Sequence, residues 1–181
     1  MNNILRINSS IVFLILTIPW AFKYFYPFTN YDWYMICSLI AYTLIFLWFL
    51  MLDSELTKRI PPKLRPSNTW FLINLFVLWL WICIAHIFFG PGHEFRVTGF
   101  AALPFLIPAF YFLFTMVSTY NHLSKLLTYA EEQQEVGLSN RIGEMVLFFF
   151  FFIGLWWLQP RIKKVLEKSE IVAEKYKSFR K

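Results

Sequence analysis

A bundle of membrane-crossing α-helices is the fold class this sequence predicts, and three observations predict it. Five apolar stretches, Ile11 to Phe28, Tyr34 to Leu52, Trp70 to Phe89, Phe100 to Val117 and Met145 to Leu158, occupy about half of the 181 residues. Hydrophobic residues make up 58% of the chain and charged residues 15%, against roughly 45–50% and about 25% in soluble domains. Many of the Trp and Tyr residues stand near the ends of those stretches, among them Trp20, Tyr24, Trp33, Trp70, Tyr120 and Trp157, where a ring has one apolar and one wet edge. In hydrocarbon every backbone N–H and C=O has to be satisfied within the chain, so stretches this long and apolar are helices. The expected architecture is an all-α bundle of four transmembrane helices, a fifth short segment that re-enters or spans, and a cytoplasmic amphipathic C-terminal helix.

The first stretch follows Met1-Asn-Asn-Ile-Leu-Arg6, which imitates the charged start of a signal peptide. No small-residue cleavage site follows it, since Pro19, Trp20, Phe22 and Lys23 come next, and a retained anchor is expected. The second and fourth stretches hold no charged side chain, and the third holds one titratable base, His86. Cys37 and Cys83 both lie inside apolar stretches, so a structural disulfide is not expected. Beyond the fourth stretch Leu123, Leu126, Leu127 and Ala130 recur at helical spacing. That spacing predicts a helix continuing out of the bilayer and closing on a Gly137 C-cap.

The fifth stretch has 14 residues, about 21 Å as a helix and short of the roughly 30 Å hydrocarbon core. Gly154 is expected to interrupt it and Pro160 to end it. After it, Ile162, Val165, Leu166, Val172, Tyr176 and Phe179 form one broad stripe, with Lys163 and Glu167 paired at i, i+4. Two parts result: a transmembrane bundle over 1–160 and a basic amphipathic tail over 161–181.

The sorting of Lys and Arg sets the expected topology. If four stretches cross and the fifth turns back, 15 of the 17 basic residues collect on one side. Five full crossings divide them 7 against 10, which is almost no bias. The expectation is therefore a plasma-membrane (inner-membrane) protein with its N-terminus and C-terminal tail in the cytoplasm.

Polar chemistry is sparse. Asn74, Thr43, Thr115 and Ser118 are the polar side chains deep in the stretches, and such residues usually bond between helices or back to their own backbone. The densest polar run, His86 through Gly90-Pro91-Gly92 to His93, Glu94 and Arg96, turns the chain at a membrane surface. His86, His93 and Glu94 are weak candidates for acid–base or metal chemistry, as is His122 on the other side, because no fixed spacing marks them as a site. Glu131, Glu132, Glu135 and Glu144 add carboxylates; Glu131 and Glu135 lie on one helix face from which they could approach the basic tail. Gly-rich phosphate loops, Gly-x-Ser-x-Gly and Cys-x-x-Cys do not occur, which removes the usual nucleotide, acyl-transfer and redox readings.

Asn121-His-Leu-Ser-Lys-Leu-Leu-Thr-Tyr-Ala-Glu-Glu-Gln-Gln-Glu135, with Ile142-Gly-Glu-Met145 and Ile153-Gly-Leu-Trp-Trp-Leu-Gln-Pro-Arg-Ile162, resembles the C-terminal part of small multi-span inner-membrane proteins of unknown function from Bacteroidota-type bacteria. The resemblance covers about a quarter of the chain and implies an inner-membrane location without an activity. Two functions are expected to compete. One is a non-enzymatic accessory or scaffold subunit that packs against a partner membrane protein or a second copy. Its tail, through Lys163, Lys164, Val165, Leu166, Lys168, Val172 and Tyr176, would contact a partner or anionic lipid. The other is a membrane-embedded enzyme or binder acting on a lipid-like substrate. Neither needs a cofactor, and nucleic acid is not an expected partner.

Overall fold

Long apolar runs, with only 6 glycines in the chain to interrupt them, give long helices. The structure, a computed structural model, describes residue 5 and residues 8–25, 31–88 and 103–178. Six α-helices and no strands occur among the described residues. They are α1 (Ser9–Phe25), α2 (Tyr31–Thr57), α3 (Thr69–Phe88), α4 (Leu103–Glu132), α5 (Ile142–Phe149) and α6 (Phe151–Ser178). Two short 3₁₀ turns, Pro62–Leu64 and Leu138–Arg141, precede α3 and α5.

Two helical stretches among the described residues, Trp33–Thr57 and Thr69–His86, are long and apolar enough to cross a membrane. These are the second and third expected spans. The first is shorter, because α1 has 17 residues and its apolar part is Ser9–Phe22. The fourth begins outside the described residues, and α4 starts at Leu103. α2 also continues five residues past the expected end at Leu52, carrying Asp53 and Glu55 on its last turns.

The chain divides into two compact units. One comprises Ile15–Trp48 and Ser67–Thr119. Within it the deep polar side chains are used between helices or locally: Asn74 Nδ2 donates to Ser118 Oγ at 2.9 Å and Trp79 Nε1 to Thr43 Oγ1 at 3.2 Å. Thr115 Oγ1 bonds back to the Phe112 carbonyl at 2.8 Å. Cys37 and Cys83 are buried.

The other unit comprises Met1–Leu14, Phe49–Pro66 and Tyr120–Lys181. Leu52, Leu56, Leu123, Leu126, Leu127, Phe148, Leu155, Leu158 and Ile162 are fully buried. Phe49 meets Tyr120, Phe148 and Phe151 edge-on, with centroids 5.6–6.5 Å apart, the separation range that aromatic pairs favour. Leu123, Leu126, Leu127 and Ala130 share the buried face that their spacing predicts.

Three local expectations are corrected here. α4 closes at Glu132 rather than near Gly137. Gln133 takes the left-handed conformation (φ 56°) and bonds its N–H to the Tyr129 carbonyl at 3.0 Å. Its side chain offsets that strain, because Nε2 donates to the Ala130 and Arg59 carbonyls, while Gly137 is extended and leads into the second 3₁₀ turn. α6 does not end at Pro160 but runs through it to Ser178, so the boundary expected at residue 160 falls inside a helix. Pro160 removes one N–H from the helix ladder, and the helix continues through it.

The interruption of the fifth stretch lies at Phe150, not at Gly154. Phe150 adopts φ −86° and ψ 52°, ending α5. Arg161 then bonds Glu144, 17 residues earlier, at 3.0 Å; a straight helix would hold them about 25 Å apart. The chain therefore doubles back at Phe150 into a helical hairpin. Gly154 permits it, since a Cβ there would fall inside the contact shell of the Leu147 backbone carbonyl.

Candidate polar site

The charged side chains described in this unit are gathered by the ends of α2, α4 and the hairpin. α2 delivers Asp53 and α4 delivers His122, whose Nε2 lies 2.8 Å from Asp53 Oδ1 with both side chains almost buried. A carboxylate on one imidazole nitrogen fixes ring orientation and tautomer. Two residues further along α2, Glu55 takes Lys58 at 2.7 Å and Arg59 at 2.9 Å, and Arg59 also donates to the Glu55 carbonyl.

Arg161 is the centre of a second group. Its Nε and Nη2 meet both oxygens of Glu131 on α4 at 2.8 and 2.5 Å, and Nη1 meets Glu144 on α5 at 3.0 Å. One guanidinium thus joins three helices, using the planar fork that suits bidentate carboxylate binding. The hydrogen bonds to Glu131, reinforced by the charges of Glu131 and Glu144, raise the Arg161 pKa above its ordinary value, against the lowering effect of partial burial. It is a permanent cation and cannot serve as a proton donor.

Arg141 is 7% exposed. Its Nη1 is 3.5 Å from Asn121 Oδ1 and its guanidinium carbon 6.0 Å from the Tyr129 ring, which Lys125 approaches to 5.2 Å. The arrangement is a cation–π contact, with Arg141 Nε lacking a hydrogen-bond partner among the described residues.

The expected site residues separate accordingly. His122 is engaged by Asp53. His86 has Nδ1 3.0 Å from the Ile82 carbonyl and packs against Tyr34 and Tyr42; the expectation that it meets His93 and Glu94 falls on residues outside those described. Glu131 reaches the tail, as its position on α4 suggested, whereas Glu135 lies beyond the helix end. In the tail Lys163 pairs with Glu167 at 3.8 Å, and Lys163, Lys164 and Lys168 are exposed. Val165 and Leu166 are 7% and 1% exposed, so this part of the stripe packs against the chain itself and offers little surface to a partner. Val172 and Tyr176 fall on the α6 backbone, with side chains outside the described part.

Sequence reasoning missed Asp53 as the partner of His122 and Arg161 as the bridge between Glu131 and Glu144. The first pair is 69 residues apart, and no local spacing announces it. Chemically the two groups amount to an oriented imidazole and a three-helix ionic staple. Among the described residues no cluster of three or more His, Cys, Asp or Glu side chains is placed to hold a metal ion. No family model, curated protein or solved structure matches the chain.

Proposed function

We propose that the chain is a multi-pass inner-membrane protein that acts as a non-enzymatic accessory or scaffold subunit, packing its helices against a partner membrane protein or a second copy. One observation carries this reading: large apolar side chains stand exposed along the helices, Phe22 on α1, Trp70 and Phe76 on α3, and Ile107, Phe110 and Phe114 on α4. Large apolar side chains exposed in such number call for lipid or protein against them. The acidic side chains Glu55, Glu131 and Glu144 meanwhile bind Lys58, Arg59 and Arg161, a stapling role.

The doubled-back fifth segment supports four crossings plus a re-entrant hairpin. It returns Arg161 to the level of Glu144, keeping the basic tail on the same side as the α4 extension. That topology would collect 15 of the 17 basic residues on one side, the bias that cytoplasmic loops favour.

The test is to extract the full chain in mild detergent and measure the particle by native mass spectrometry. A stoichiometric second polypeptide or second copy, dissociated by Phe110→Arg, is expected. A monomer carrying lipid alone would overturn the reading and favour the alternative, a membrane-embedded enzyme or binder for a lipid-like substrate. The Asp53–His122 pair favours that alternative, because a carboxylate-oriented imidazole is an acid–base group.

A further inference from the structure

The hairpin carries a surface feature that the ionic staple does not use. Val146, Leu147 and Phe150 on one side, with Ile153 and Trp157 on the other, line an open groove of about 420 Å³ with almost no polar atom in its wall. Ile153 and Trp157 are 60% and 59% exposed.

The direction of α6 gives this groove two chemically different ends. Lys164 and Lys168 follow Trp157 by seven and eleven residues, each within about 20° of the same helical direction. Both are exposed, and Lys164 lies about 10 Å beyond Trp157 along the axis. Two described carboxylates nearby engage other cations: Glu167 takes Lys163 at 3.8 Å and Glu144 takes Arg161 at 3.0 Å. One helix face therefore passes from an apolar trough, through an exposed Trp, to the ammonium groups of Lys164 and Lys168, for which the described residues supply no ion pair.

We infer that the α5–α6 hairpin binds an anionic phospholipid, one acyl chain lying in the groove formed by Val146, Leu147, Phe150, Ile153 and Trp157 and the phosphate reaching Lys164 and Lys168. The inference rests on the membrane reading above. The occupant follows from the change of character along the face: an alkyl chain matches a trough without hydrogen-bonding groups, and an anionic head matches the two cations. A transmembrane segment of a partner would cover the trough but would leave the lysines without a counter-charge.

The experiment uses the full-length protein in phosphatidylcholine nanodiscs, titrated with phosphatidylglycerol brominated in its acyl chains, with Trp fluorescence as readout. A saturable, phosphatidylglycerol-selective component of quenching is expected, and it is lost in Trp157→Phe. Brominated phosphatidylcholine should quench the same component only at markedly higher mole fraction. Lys164→Gln and Lys168→Gln should each weaken the phosphatidylglycerol response about five-fold, at about 1 kcal/mol per juxtamembrane cation. Val146→Trp fills the trough from an exposed position and should remove saturable binding while leaving the fold intact.

Equal quenching by the two lipids, or a saturable phosphatidylglycerol-selective component that survives Trp157→Phe, overturns the proposal. So does protection of Trp157 by a co-purifying polypeptide. Alkaline carbonate extraction of the chain from native membranes separates the two readings. Release into the soluble fraction defeats the membrane reading and the lipid site together, whereas retention without phosphatidylglycerol preference defeats the lipid site alone.

Discussion

Arg161 shows how a single side chain can join several helices. It neutralises Glu131 and Glu144 and ties α4, α5 and α6 together. Arg161→Gln leaves the Glu131 and Glu144 carboxylates without their shared cation. The loss in stability should be about 1–3 kcal/mol. Thermal unfolding in detergent checks this; a variant as stable as the original chain would show that the ion pairs do not hold the three helices together. For Asp53 and His122, a double-mutant cycle with Ala at both positions should give a coupling of about 1 kcal/mol. A coupling near zero would show that the contact does not stabilise the fold. His122 and the carboxylates were visible in the sequence as residues able to do chemistry. Their partners were not, because separations of 30 to 69 residues are closed by packing and not by helical repeat.

Among the elements, the hairpin depends on one glycine and not on another. At Gly143 a Cβ would meet nothing within 4 Å, whereas at Gly154 it would strike the Leu147 carbonyl. Gly143→Ala should be neutral or stabilising by up to about 1 kcal/mol, the helix-propensity difference. Gly154→Ala should cost about 1–3 kcal/mol through overpacking and should loosen the hairpin. Denaturation midpoints of the two variants in the same detergent decide it, and equal behaviour would refute the close approach. Gly154 was legible as a break point, but the break itself sits at Phe150, where nothing in residue type disfavours a helix. The close approach of two backbone segments, not local propensity, requires the glycine. At the end of α4 the opposite occurred: Gly137 advertised a C-cap, and Gln133 took the left-handed position because its side chain finds the Arg59 and Ala130 carbonyls.

For the whole molecule the testable quantity is topology. Single cysteines placed after Met1, after Leu64 and after Lys181, in a Cys37→Ser, Cys83→Ser background, should all label from the cytoplasmic face. Labelling of the C-terminal position from outside would mean that the fifth segment crosses, leaving the Glu144–Arg161 bond to be explained within a straight span. By itself the sequence determined the helical class, the apolar character of Trp33–Thr57 and Thr69–His86, and the amphipathic extension of α4. Those follow from hydrogen bonds four residues apart and from a 3.6-residue repeat, both local properties. Only the tertiary structure decided where the last apolar stretch turns, which carboxylate meets which cation, and that Val165 and Leu166 face inward while Lys164 and Lys168 face out. Each of these depends on distances between segments far apart in the chain, which residue type and spacing do not encode.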